Sequence, residues 1–296
     1  MSIVIARYYG AKKHDMIKKS VASTLIIGVG MSLLVMMIGD FGLSPLLHLL
    51  GTPANIIEQS YAYMPIIMNC VAVTFAYNFG AGLLRAIGDS LMALYVLVFA
   101  SVLNIGLDIL FITQFRMGVA GAAVATITAQ FLSALLCFLY IFKKCLVLIP
   151  ERRHFKVDKA LYMDLLGQGL SMGCMSSIVS LGTVILQTVI NHLGILMIAA
   201  QTTARRIQAF FIMPLTATAA GVATFTSQNF GARKFHRIHE GVRKASYLAI
   251  AWSMIAMVTL YLLGPLLTQA ISGSDNSVLL TASTTYLNWN TLFTLF

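Results

Sequence analysis

Seven apolar stretches and the start of an eighth, parted by short polar segments, constrain this chain more than any motif in it. A helix that crosses about 30 Å of hydrocarbon needs about 20 predominantly apolar residues. Such stretches run over 20–38, 56–84, 91–113, 119–142, 166–191, 195–227 and 245–270, and another begins near Val278 and reaches Phe296. Hydrophobic residues make up 58% of the chain and charged residues 10%, where a soluble domain carries about 25% charged residues. So few charges cannot cover a surface that faces water. The expected fold is an all-α polytopic membrane protein whose solvent is the lipid bilayer.

The charges orient it. The net charge of +10 would point to nucleic acid in a soluble protein. Here the bases gather in alternate loops. Arg7, Lys12, Lys13, Lys18 and Lys19 precede the first stretch and Arg85 follows the second. Lys143, Lys144, Arg152, Arg153, Lys156 and Lys159 follow the fourth, and Arg233, Lys234, Arg237, Arg243 and Lys244 follow the sixth. Loops rich in Lys and Arg face the cytoplasm. The basic loops at 7–19 and 233–244 and the linker at 143–160 are therefore expected there, in a multi-pass protein of the cell membrane with no nucleic-acid partner. The opposite loops hold Asp40, Glu58, Asp275 and one base, Arg116. Only residues 2–6 precede Arg7, too few for the apolar core of a signal peptide.

The sequence also repeats itself. Tyr9-Gly10-Ala11-Lys12-Lys13 reads again as Phe230-Gly231-Ala232-Arg233-Lys234, at an offset of about 221 residues. Ile17 and Val21 return as Ile238 and Val242, and Pro45-Leu46-Leu47 as Pro265-Leu266-Leu267. Six stretches separate the two basic motifs. An even number leaves both copies in one orientation, so the expected architecture is two parallel six-helix repeats. A twelve-helix protein of roughly 440 residues is expected, with about seven and a half helices in this sequence. Residues 1–142 form an N-lobe without its first two helices, 143–160 a cytoplasmic linker, and 161–296 a C-lobe without most of its last three.

Few residues in the apolar stretches can carry chemistry. Asp108 lies in the third, where an acid near the bilayer centre costs at least about 2.5 kcal/mol. Asn104 is one turn earlier on the same helix face. Thr126, in the fourth stretch, sits at a similar depth, roughly 8–11 Å below the outer boundary. The three can bind Na⁺ or take up a proton, or they can be a structural polar cluster that holds two helices together. Arg205 and Arg206 lie inside the sixth stretch, and at least one is expected to face the interior, with Gln187 and Asn191 as neighbours. These four are possible cavity residues, although a structural role suits the arginines better. Pro214 is expected to kink its helix. Gly80, Gly82 and Gly121-Ala122-Ala123 allow close helix approach. His236 and His239 read as solvated. Cys70, Cys137, Cys145 and Cys174 have no metal or redox spacing. There is no catalytic set, phosphate loop or metal motif, so neither an enzyme nor a cofactor is expected.

Several segments resemble the multidrug and toxic compound extrusion (MATE) family. They are Leu84-Arg85-Ala86-Ile87-Gly88-Asp89, the run from Leu103 to Ile112 and the run from Gly118 to Thr126. In the second half they are Asn191, Gly194, Ala199-Ala200, Arg206-Ile207, Met213-Pro214 and Gln228-Asn229-Phe230-Gly231-Ala232. The resemblance implies two six-helix lobes around a V-shaped cavity, and export of organic, often cationic, compounds in exchange for Na⁺ or H⁺. It also implies an N-lobe site made of an Asn and an Asp on helix 5, a Thr on helix 6 and an Asp on helix 1. Asn104, Asp108 and Thr126 match the first three, and the helix 1 residue has no counterpart here. Other members place acids on helices 7 and 10. The stretch 166–191, which would be helix 7, contains none. The expected partners are small organic substrates and the bilayer, and the expected state is a monomer. The alternatives are a lipid-linked saccharide flippase of related fold, marked by a more cationic cavity, and a non-functional transporter fragment.

Overall fold

The computed structural model of the chain describes residues 1–49, 54–156, 158–273 and 276–293. Among them are ten α-helices and no strand: α1 (Ser2–Gly10), α2 (His14–Leu49), α3 (Ala54–Asn69), α4 (Val71–Ile87), α5 (Ser90–Ile109), α6 (Gly118–Lys144), α7 (Lys159–Asn191), α8 (Ile195–Gly231), α9 (Phe235–Ser272) and α10 (Ser277–Phe293). Six are long and apolar enough to cross a membrane, and a seventh span results if α3 and α4 count as one. Helices α7, α8 and α9 run past their apolar stretches at the basic ends. Helical hydrogen bonding continues into the polar segments there, where hydropathy alone marks a boundary. Asp275 and the last residues of the eighth stretch lie outside the described residues.

The second stretch departs from expectation. It is not one straight helix but two, bent by 52°. The break falls at Cys70, whose backbone leaves the helical region (φ −106°, ψ 15°). Pro65, five residues earlier, has no N–H for the helix ladder and weakens the turn leading into it. Two glycines of α2 receive side chains on either side of the break. A Cβ on Gly39 would lie 2.9 Å from the Cβ of Met68, and one on Gly28 only 1.9 Å from Cζ of Phe75. The break therefore seats α3 and α4 in separate notches of one neighbour.

The repeat persists in backbone geometry. The amides of Ala11, Lys12 and Lys13 donate to the carbonyls of Arg7, Tyr9 and Tyr8, each at 3.0 Å. Those of Ala232, Arg233 and Lys234 donate to Gln228, Phe230 and Asn229, at 3.0, 3.1 and 2.8 Å. Both turns place a non-glycine residue in the left-handed region, Lys12 at φ 56° and Arg233 at φ 57°. The same basic motif thus ends one helix and starts the next in each copy.

The chain divides into two compact units, Met1–Leu165 and Leu166–Phe296. In the first, Ile5, Ile17, Val21, Leu84, Val96 and Ile141 belong to one buried core. In the second, Ala204, Ile207, Leu260 and Leu287 pack together. The segment expected as a linker is folded onto the first unit rather than free. Leu148 and His154 are buried. Lys18 Nζ donates to Glu151 Oε1 at 2.7 Å, and His154 Nε2 contacts Asp15 Oδ1 at 3.0 Å. The backbone N–H of Glu151 donates to His154 Nδ1 at 2.9 Å, so the Nε2 position carries the imidazole proton toward Asp15. Arg7 pairs with Asp164 at the start of α7.

Helix α5 has an exposed apolar side. Leu91, Leu94, Tyr95, Val98, Val102 and Ile105 recur every three to four residues, and all are exposed. The opposite side, with Ala93, Val96 and Ala100, is buried.

Candidate cation site in the first unit

Helices α5 and α6 position the site. Asp89 caps α5, accepting from the Met92 amide at 3.2 Å, and its second oxygen accepts from the Tyr140 hydroxyl of α6 at 2.9 Å. That pins the two helices at one end. At the other, Gly121 of α6 lies so near the end of α5 that a Cβ would stand 3.3 Å from the Phe111 carbonyl carbon. The close approach expected of Gly121 is present. Gly80 likewise faces Cys137, where a Cβ would stand 3.1 Å from Sγ, whereas Gly82 has nothing within 4 Å and makes no such approach.

Between these two contacts two of the three expected residues meet, Asn104 and Thr126. Asn104 Nδ2 donates to Thr126 Oγ1 at 3.4 Å. The Thr126 hydroxyl donates in turn to the Ala122 carbonyl at 2.9 Å. Asp108, one turn beyond Asn104, is half-buried. Its Oδ1 is fully buried and has no hydrogen-bond partner among the described residues. Asn104 sits about 100° around the helix from the exposed Ile105, and Asp108 about 60° from Ile105 and about 100° from Ile109, at the edge of the exposed stripe. Directly after Asp108, α5 widens into a π-helical turn over Leu110–Gln114, in which the Phe115 amide reaches back to Leu110 at 3.2 Å. Such turns are rare and frequent at functional sites. No residue type announces one, so the sequence did not show it.

Two further polar residues adjoin the pair, and the sequence did not single them out. Thr74 of α4 donates to Gln130 Oε1 of α6 at 2.7 Å, and Gln130 is one turn from Thr126. A lone threonine or glutamine in an apolar stretch is too common to stand out.

The remaining candidates lie in the second unit and do not converge as expected. Gln187 donates to Asn191 Oδ1 at 3.0 Å along one exposed face of α7. Arg205 is half-buried and lines a pocket of about 440 Å³ with Gln208, Met213 and Thr216. Arg206 is exposed. Among the described residues no hydrogen bond joins either arginine to Gln187 or Asn191.

The sequence family described as MatE matches residues 1–110 and 172–296. The chain belongs to the MatE family. This MatE chain is similar to two proteins of Bacillus subtilis (strain 168). One is the probable multidrug resistance protein YoeA, 28% identical over 267 residues, which are 88% of this chain and 58% of that protein. The other is the probable multidrug resistance protein YpnP, 33% identical over 195 residues, 65% and 43% of the two chains. The chain thus spans about half the length of the curated relatives it matches. A solved structure of an outward-facing multidrug resistance MATE transporter of the MOP superfamily shares the fold. It has a TM-score of 0.91 and 23% identity, over 99% of this chain and 66% of that one. Family and apolar helices together make this MatE chain an integral, multi-pass membrane protein.

Proposed function

We propose that this chain belongs to an exporter of small organic compounds, driven by inward movement of Na⁺ or H⁺, and that it carries the coupling group at Asp108. The observation that carries the reading is the buried, unpartnered Oδ1 of Asp108 beside the Asn104–Thr126 hydrogen bond. A carboxylate held out of water costs several kcal/mol unless something compensates it. A bound cation or proton is such a compensation. The oxygens of Asn104 and Thr126 add neutral donors suited to a hard monovalent ion. The family and the relatives' names support organic compounds as the cargo. The alternating basic loops support a cell-membrane orientation with 7–19, 143–160 and 233–244 on the cytoplasmic side.

The test is Asp108→Asn in the intact protein, reconstituted in vesicles with an imposed Na⁺ or H⁺ gradient. Ethidium efflux should be abolished while insertion and protein level stay at the parent's. A neutral amide cannot release a proton, and it holds Na⁺ more weakly than a carboxylate. Efflux at the parent rate would remove the reading.

A further inference from the structure

Beyond the Asp108 site, the first unit holds a continuous series of polar side chains that leads away from it along α6 and α4. Thr126 and Gln130 stand one turn apart on α6, about 6 Å along its axis. Each is tied to a different neighbour, Thr126 to Asn104 of α5 and Gln130 to Thr74 of α4. One turn beyond Thr74, Asn78 donates to the Thr74 carbonyl at 2.9 Å and is exposed. Asn78 opens on a pocket of about 330 Å³ that Gly82 and Arg85 also line. Arg85 is the basic residue in the last turn of α4.

We propose that Gln130, Thr74 and Asn78 form the route by which the coupling cation passes between Asp108 and the pocket at the Arg85 end of α4. The proposal rests on the coupling role of Asp108 given above. Three features favour it. The part-buried Gln130 and Thr74 and the exposed Asn78 offer oxygen atoms near one-turn spacing, and an ion that leaves a carboxylate in an apolar region needs such stepwise replacement of its ligands. The Thr74–Gln130 hydrogen bond bridges two helices, and Thr126 and Asn78 each stand one turn from one of its ends. At its far end stands a cation, Arg85, which lowers the affinity of the pocket for another cation and so favours release over retention. A purely structural polar pair would need none of the three in sequence.

The experiment uses the intact protein in proteoliposomes with Thr74→Val, Gln130→Leu and Asp108→Asn side by side. Two quantities are read, the rate of gradient-driven ethidium efflux and the equilibrium binding of ²²Na⁺, with proton uptake as its counterpart if the ion is H⁺. Removing one partner of a buried polar pair raises a barrier enough to slow transit about tenfold. Thr74→Val and Gln130→Leu should lose that much efflux rate while binding stays within about twofold of the parent, because the Asp108 ligands are intact. Thr74→Ser, which keeps the hydroxyl, should recover most of the rate. If Thr74→Val does not accumulate, Asn78→Leu, at an exposed position, interrupts the same series. Parent-like efflux in the route variants with Asp108→Asn inactive overturns the route and leaves the coupling reading standing. Loss of equilibrium binding in the route variants also overturns it, since those residues would then be ligands of the site. Parent-like efflux in Asp108→Asn removes both.

Discussion

The indole N–H of Trp252 donates to the backbone carbonyl of Phe211 at 2.9 Å, three residues before Pro214. Trp252 is on α9 and Phe211 on α8, so one side chain joins the two helices where α8 contains its proline. Pro214 has no N–H for the ladder, and its ring crowds the preceding turn. Carbonyls in that turn are the ones a neighbouring donor can take. Trp252→Phe keeps the bulk and removes the donor. It should lower the stability of the second unit by about 1 kcal/mol in thermal or denaturant unfolding. In a Pro214→Ala background the same change should cost clearly less, because without the ring crowding the turn the Leu215 amide can hold the Phe211 carbonyl by itself, the amide that alanine restores reaching Phe210. Equal costs in the two backgrounds would show that the bond and the proline act independently.

Gly28→Ala should be poorly tolerated. Its Cβ would fall 1.9 Å from Cζ of Phe75, and that ring is stacked on Phe79 at 5.4 Å between centroids, so it has little room to withdraw. Overpacking of this kind costs about 1–3 kcal/mol. Adding Phe75→Leu should restore folding. Gly30→Ala, with nothing within 4 Å, is the matched control and should fold as the parent does. Folded yield from membranes reads all three.

Arg233 and Lys12 sit at φ 57° and 56°, where a β-branched residue is strained. Arg233→Val should destabilise the α8–α9 turn by about 1–2 kcal/mol. Arg233→Gly and Arg233→Asn should not, since both residues accept this conformation. A proteolysis assay on the 230–236 segment distinguishes them, with only the valine variant cut faster.

The contact between the 143–156 segment and α2 should be insensitive to neutral pH and fail in acid. The hydrogen bond from Lys18 holds the Glu151 carboxyl below its usual range, with Arg153 adding to the effect. A group whose folded-state value is lowered contributes fully above its unfolded value and loses that contribution as pH falls through the folded one. Backbone hydrogen exchange in 145–155 should therefore be flat from pH 8 to about 6 after correction for intrinsic rates, and rise only below the ordinary carboxylate range. Glu151→Gln should show the faster exchange at neutral pH and converge with the parent in acid, where Glu151 is itself protonated.

Much of the protein was legible in the amino-acid sequence because the relevant physics is local. An apolar run of about 20 residues specifies a membrane helix whatever surrounds it. Asn104 and Asp108 had to share a face because helical spacing places them there. The motifs around Lys12 and Arg233 repeat in the sequence, and the two residues share one backbone conformation, with φ 56° and 57°. What the tertiary structure alone decided depends on partners far apart in sequence. The 52° break at Cys70 seats Met68 and Phe75 in notches that Gly39 and Gly28 offer from another helix. Among the described residues no hydrogen bond joins the arginines at 205 and 206 to Gln187 and Asn191, which bond one another along α7. The pairing of Thr74 with Gln130 links residues 56 positions apart. Periodicity tells which face of a helix a residue occupies, but only packing tells which side chain stands opposite, and in a membrane interior that neighbour decides whether a polar atom is satisfied.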